Sequence, residues 1–316
     1  MKQPSYFCRA ALLLLVLAAL LSLPGCSKYR LEMSTAAQSE TMLTMGETEV
    51  PFEVVYFFYH NYQEAYPKED LATRMQRIEN SVCELYAIFD VSERYGIDPF
   101  GDKVNELLDE AVKEMIDSYP TRRDYIDRLA DQHMSDSVSR LLLRSYLCQE
   151  LLLEELLSEL KDDAVVDAFL ARTDVLRVLS LTVNFGDQTE AMRRRAEEIV
   201  ALLEAEEDTD EAFLSIARHK ATTDQEHSYI TVGQWYQLCG EGAPAPENGA
   251  FSGPLYEGET CLMMRVSTKD EAYAKANRDK ICPGYLECLI ADRAAEKLPT
   301  LQKTEAYRAL TADKFQ

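Results

Sequence analysis

The sequence predicts a mainly helical α+β protein in which helical stretches at either end of the chain flank a smaller α+β part. Three observations predict it. Apolar residues recur at helical spacing from about residue 52 to 160 and again from 270 onward. Between those stretches lie β-branched runs near 174–183, 228–238 and 251–266. Two helical segments separate the first two runs, so the order is strand, helix, helix, strand, loop, strands, an α+β arrangement.

Each element has its own warrant. Thr41–Val50 alternates weakly around Gly46 and predicts a short hairpin. Pro51 opens a helix at the position where its missing N–H costs nothing. That helix, Phe52 to Tyr66, is dense in aromatics: Phe52, Tyr56, Tyr59 and Tyr66 share one face, and Val55, Phe58 and Tyr62 the next. Two adjacent apolar faces mean deep burial or an adhesive exposed surface, burial being the commoner outcome. A second helix covers roughly Leu71–Tyr95 and stops at Gly96, and Asp98-Pro99 restarts a third that runs to about Tyr119. Pro120-Thr121 punctuates again. Ser135 suits the N-cap of a long helix through Leu160, with Val138, Leu142, Tyr146, Leu153, Leu156 and Leu160 on one broad face. Asp174–Val183 reads as a strand, followed by helices near Gln188–Glu206 and Asp210–His219. Ser228–Leu238 is strand-like, Gly240–Gly249 is a Gly/Pro-rich loop, and Phe251–Val266 is a last hairpin. Helical periodicity resumes at Asp270, breaks at Pro283-Gly284, and closes with a helix from Tyr285 to Leu298.

The first residues carry an address. Lys2 and Arg9 flank a positive start, and Ala11–Leu21 is an eleven-residue apolar run without charge. That run is too short for about 30 Å of hydrocarbon but suits a signal h-region. Leu23-Pro24-Gly25-Cys26 then resembles the lipobox of bacterial lipoproteins. Residues 1–25 therefore read as a lipoprotein signal peptide, Cys26 as the lipid-bearing first residue of the mature protein, and 26–40 as a polar tether. The expected place is the extracytoplasmic face of the bacterial cytoplasmic membrane.

Charge and side-chain inventory exclude several classes. The formal charge is −22, and removal of 1–25 takes away two cations and no acids, leaving −24. Nucleic acid is not an expected partner, since phosphate contacts need clustered Lys and Arg. The same acidity leaves the acyl group as the only evident membrane contact. Six cysteines remain in the mature chain: Cys83, Cys148, Cys239, Cys261, Cys282 and Cys288. An exported chain could join them in any of about fifteen ways, although Cys83 and Cys148 lie in apolar helical segments where a thiol behaves as a small hydrophobe. There is no Cys-x-x-Cys, and His60, His133, His219 and His227 are scattered, so neither metal nor cofactor is expected. The acidic run EAEEDTDE lacks the Gly and the spacing of a calcium loop.

Several segments together resemble the PrsA/SurA-type extracytoplasmic foldases. GETEVPFEVVYFFYHNY resembles the family's short strand and aromatic first helix, and SERYGIDPFGDKVNELL its helix–turn–helix step. YIDRLADQHMSDSVSRLLLRSYLCQELL is similar to the long helix pair that follows, and YLECLIADRAAEKL to the closing helix. MRRRAEEIVALLEAEEDTDEAFLSIAR and NGAFSGPLYEGETCLMMRV resemble parvulin helices and the last parvulin hairpin, with Gly249 and Ser252-Gly253-Pro254 at matching places. The resemblance implies a helical chaperone domain over 41–173, completed by 270–316, and a parvulin-like prolyl isomerase domain over 174–269. It implies unfolded or newly exported polypeptides as partners.

It also implies where catalysis would lie. The family's two histidines fall at Ser180 and at about Leu262, and its Asp or Cys falls within Thr222–Asp224, where Asp224 is the acid. SYITVGQWY keeps only Gly233 and the pair Trp235 and Tyr236 of the family's glycine-rich turn, and the loop CGEGAPAPENG stands where a pocket helix is expected. Trp235, Tyr236 and Met263 are then the residual substrate pocket, and Phe52, Tyr56 and Tyr59 the client-binding face. The expectation is a membrane-anchored chaperone with an impaired or inactive isomerase domain. Its rivals are an active isomerase and a non-catalytic lipoprotein with one dedicated partner.

Overall fold

The structure, a computed structural model, describes residues 39–184, 189–205, 209–220, 226–240, 243–257 and 260–315. The predicted signal peptide, Cys26, most of the tether and Asp224 lie outside these residues. The chain divides into two units. One comprises 156–288 and the other, among described residues, 39–155 with 289–315. The unit holding the larger sheet is thus wider than 174–269, taking in 156–173 and 270–288.

The helical unit begins with a hairpin, β1 (Thr41–Met45) and β2 (Thr48–Pro51), whose turn uses Gly46 at φ +64°, a conformation that costs glycine little. Pro51 then caps α1 (Phe52–Ala65), as its fixed φ predicts. In α2 (Leu71–Arg94) the Asp70 carboxylate accepts from the Thr73 N–H at 2.8 Å. Gly96, at φ +76°, ends that turn. α3 (Asp102–Asp117), α4 (Arg122–Asp131) and α5 (Asp136–Glu159) follow. The Ser135 hydroxyl caps α5 by accepting from the Val138 N–H at 3.1 Å. The buried line of α5 passes through Val138, Ser145, Cys148, Leu152 and Leu156. It therefore differs from the expected line through Leu142, Tyr146 and Leu153, because leucines surround this helix and periodicity alone does not select one face.

The other unit is built on an antiparallel sheet ordered β4-β3-β6-β5. Its strands are β3 (Val175–Asn184), β4 (Glu226–Thr231), β5 (Leu255–Glu257) and β6 (Thr260–Ser267). Before it comes α6 (Asp163–Ala171), and between β3 and β4 lie α7 (Thr189–Ala205) and α8 (Asp210–Lys220). Two sequence expectations change here. The strand expected over Ser228–Leu238 stops at Thr231 and becomes α9 (Val232–Cys239). Thr231 and Gln234 form a reciprocal capping box, Thr231 N–H to Gln234 at 2.9 Å and Gln234 N–H to Thr231 at 3.1 Å, and this starts the helix.

The second change is at Pro283-Gly284. After α10 (Glu271–Ala276), α11 runs unbroken from Arg278 to Lys297 with Pro283 inside it. Pro283 lies early enough that few intrahelical bonds precede it. Gly284 packs so closely on β4 that an added Cβ would stand 2.2 Å from the Tyr229 carbonyl oxygen. Beyond α11, β7 (Gln302–Lys303) joins β1 to give the order β2-β1-β7, and α12 (Glu305–Arg308) leads to a last turn, Ala312–Phe315. The helical unit is thereby closed by the far end of the sequence. No described helix is long and apolar enough to cross a membrane.

Candidate functional site

Alternation along β3 and β6 sorts the four-stranded sheet into two faces. One carries Leu179, Leu181, Val183, Cys261 and Met263 against Ala196 and Ile199 of α7 and Phe213, Ile216 and Ala217 of α8. Asp210 fixes the start of α8 by receiving the Arg265 Nε–H at 3.1 Å, and the Ser267 hydroxyl also donates to it. A carboxylate in the first turn of a helix further suits the local dipole.

The opposite face carries Leu176, Val178, Met264 and Val266 around Trp235, with Leu255 and Leu262 at its margin. Ser180 pairs with Met264, and Thr182 with Leu262. Ser180 and Leu262 therefore share this face in neighbouring rows. Trp235 is wholly buried here, and its indole N–H donates to the Pro244 carbonyl at 3.1 Å, holding the Gly/Pro loop against the sheet. The loop then runs beside β6: Gly249 N–H to Val266 O at 2.9 Å, Val266 N–H to Ala250 O at 2.8 Å, and Ser252 N–H to Met264 O at 2.9 Å. The Ser252 hydroxyl accepts from the Met264 N–H at 2.9 Å, and Gly249 and Gly253 adopt φ +90° and +73°. These contacts account for the glycines and the serine of the matched segment.

The predicted pocket is only partly assembled. Trp235 is on the Ser180 face, Tyr236 is exposed on the outside of α9, and Met263 points to the helix-covered face. A shift of one residue along a strand exchanges faces, so Met264, not Met263, lies with Trp235. The side chains clustered around Trp235 are aliphatic and thioether, together with the Cys239 thiol, which burial pushes above its ordinary pKa. Among the described residues no group of His, Cys, Asp and Glu could hold a metal ion.

In the helical unit Phe52, Tyr56 and Tyr59 take the buried alternative of the two that their apolar faces allow. All three are buried, at 5 %, 7 % and 3 % exposure, because Phe315 folds back onto them. Its ring stacks on Tyr59 at 3.7 Å and 6° and lies 5.8 Å from Phe52. Phe315 was not legible beforehand: it follows an aperiodic polar stretch, and a lone aromatic there signals nothing. Two further partners of this cluster, His60 and His133, stack on each other at 3.8 Å and 9°.

No protein-family model matches the sequence. No curated protein matches it either. Solved foldases are similar to it. One is the foldase protein PrsA of Lactococcus lactis, at 11 % identity and a TM-score of 0.24, covering 88 % of this chain and 100 % of that one. Another is the foldase protein PrsA of Streptococcus pneumoniae, at 14 % identity and a TM-score of 0.29, covering 87 % and 97 %. The peptidylprolyl isomerase PrsA of Bacillus anthracis, at 12 % identity and 0.23, covers 68 % of this chain and 96 % of its own.

Proposed function

We propose that this chain is a lipid-anchored extracytoplasmic chaperone that holds unfolded exported polypeptides, and that its α+β unit does not catalyse prolyl isomerisation. The observation that carries the first half is the architecture: a helical unit opened by residues 39–155 and closed by 289–315, interrupted by a unit built on a four-stranded sheet. The lipobox-like Leu23–Cys26 supports a place at the membrane, with the acyl group as the contact. Unfolded chains expose apolar segments that aggregate, and a protein binding the unfolded state competes with that process.

The second half rests on the face around Ser180. Prolyl isomerisation must overcome a barrier of about 18–20 kcal/mol, set by partial double-bond character of the amide. A catalyst lowers it by binding the twisted amide better than the planar one. On this face the two positions that the resemblance assigns to histidine are Ser180 and Leu262. Met263 is turned away, and Trp235 is committed to Pro244 and the core.

Protein starting at residue 27 should slow aggregation of several unrelated, chemically unfolded proteins at near-stoichiometric ratio. In a protease-coupled proline-peptide assay it should give the uncatalysed rate. If it slows none of the clients, the chaperone reading fails. Turnover well above background would overturn the second half.

A further inference from the structure

We propose that the α1 face carrying Phe52, Tyr56 and Tyr59 is a cleft for an aromatic side chain of an extended, unfolded polypeptide, and that Phe315 occupies it as a resident stand-in. The proposal rests on the chaperone reading for the nature of the client, but the cleft and its occupant are features of the fold. Phe315 shows what the cleft accepts: a flat ring, parallel to Tyr59 at 3.7 Å and nearly parallel to Phe52 at 5.8 Å. Offset and stacked aromatic contacts of this kind add to plain area burial.

The attachment of Phe315 differs from that of the segment before it. Residues 302–307 are latched by polar contacts: Thr304 N–H to Met42 O at 3.0 Å, Lys303 to Glu79 at 2.6 Å, and the Tyr307 hydroxyl to Glu79 at 3.0 Å. Beyond Leu310 the described hydrogen bonds are local, Lys314 N–H to Thr311 O at 2.9 Å, apart from one between His60 and the Phe315 main chain. Ala312, Asp313 and Lys314 are exposed, so the turn contributes one buried side chain. A single ring beyond a firm latch can leave without disturbing β7. Beside it the buried Nε2 of His60 has no hydrogen-bond partner among the described residues, a polar atom available to the main chain of an incoming segment. A client whose aromatic residue entered the cleft would displace Phe315, and the stand-in would keep the apolar face covered between clients.

The test uses the whole mature chain, wild type and Phe315→Ala, and two fluorescein-labelled unstructured peptides differing only by Phe→Ala at the centre. If the cleft is open in only a per cent or so of wild-type molecules, its apparent affinity is reduced about hundredfold. Phe315→Ala should therefore bind the Phe peptide some 10- to 100-fold more tightly than wild type does, with no gain for the Ala peptide. Equal binding by a folded Phe315→Ala overturns the proposal. Should that variant not fold, hydrogen exchange on wild type decides: amides of 312–315 should exchange faster than those of α2, and faster still with the Phe peptide. Exchange of 312–315 only with global unfolding overturns the proposal. Aggregation assays keep the two readings apart. Peptide binding without holdase activity would leave the cleft standing and remove the chaperone, whereas holdase activity without a gain in Phe315→Ala does the reverse.

Discussion

His60 stands at the centre of the most sensitive residue-scale contact. Its ring stacks on His133, whose backbone is left-handed at φ +55°, and lies 4.4 Å from Tyr56. Burial, and the charge His133 would carry, lower its pKa from 6.5 to about 4. Burial also lowers that of His133, with Glu64 and Asp131 opposing. Both imidazoles are therefore neutral in the folded protein near neutrality. Unfolded histidines protonate at about pH 6.5, so acidification stabilises the unfolded chain first. Stability from the pair is complete above that pH and is lost as the pH falls toward about 4. Below that value no further loss follows from His60, because both states carry the proton. Denaturant midpoints at pH 7 and pH 4.5 should show this loss in wild type and a smaller one in His60→Gln. Equal losses would remove the pair as its source, since carboxylates titrating in the same range are common to both proteins.

At the scale of elements, α11 shows how packing overrules local signals. Proline followed by glycine ordinarily marks a break, yet the helix continues through Pro283 and Gly284. Glycine inside a helix costs about 1 kcal/mol relative to alanine, so propensity alone predicts that Gly284→Ala stabilises. The Tyr229 oxygen, 2.2 Å from where the new Cβ would stand, reverses that sign. Overpacking typically costs about 1–3 kcal/mol and occasionally more, and here the obstacle is backbone, which cannot rotate away. Gly284→Ala should lower the unfolding free energy by roughly 2 kcal/mol net, read from denaturant curves of the lone tryptophan, Trp235. An unchanged or raised midpoint would mean that α11 shifts off β4 at no cost. The same contrast explains what could be read in advance. The β1-β2 hairpin, α1, α2, β3, α7 and α8 were legible because hydrophobic period, caps and punctuation agreed. α9 was not, although its Thr231-x-x-Gln234 box is visible in the sequence, because β-branched residues before it suggested a continuing strand. Ser180 and Leu262 can be assigned to one face only once the register is known, and the same register places Met264, not Met263, beside Trp235. The burial of Phe52, Tyr56 and Tyr59 depended on Phe315, more than 250 residues away in sequence, where no local pattern reaches.

On the scale of the whole molecule, the question is what stabilises the folded chain. Disulfides are the usual supplement in oxidising compartments, and six cysteines are present beyond residue 26. In the structure all six are thiols, five of them buried and Cys239 half-buried. Cys282 and Cys288 share α11 but are separated by about 9 Å along its axis, too far for a disulfide with unchanged backbone. Cys83 instead lies in the core of the helical unit with its sulfur 3.9 Å from that of Met45. Burial pushes the Cys83 and Cys261 thiols up to about 11, which suppresses the reactive thiolate. Stability must then come from the two apolar cores and from the closing segment that ties β7 to β1. Protein beginning at residue 27 should accordingly release six equivalents of colour from a thiol reagent in guanidinium. Under native conditions Cys239 should react first and the others only at rates set by opening of the fold. Added reductant should leave the melting temperature within about a degree. A count below six in guanidinium, or a reductant-sensitive melt, would show that cross-links replace the packing described for these side chains.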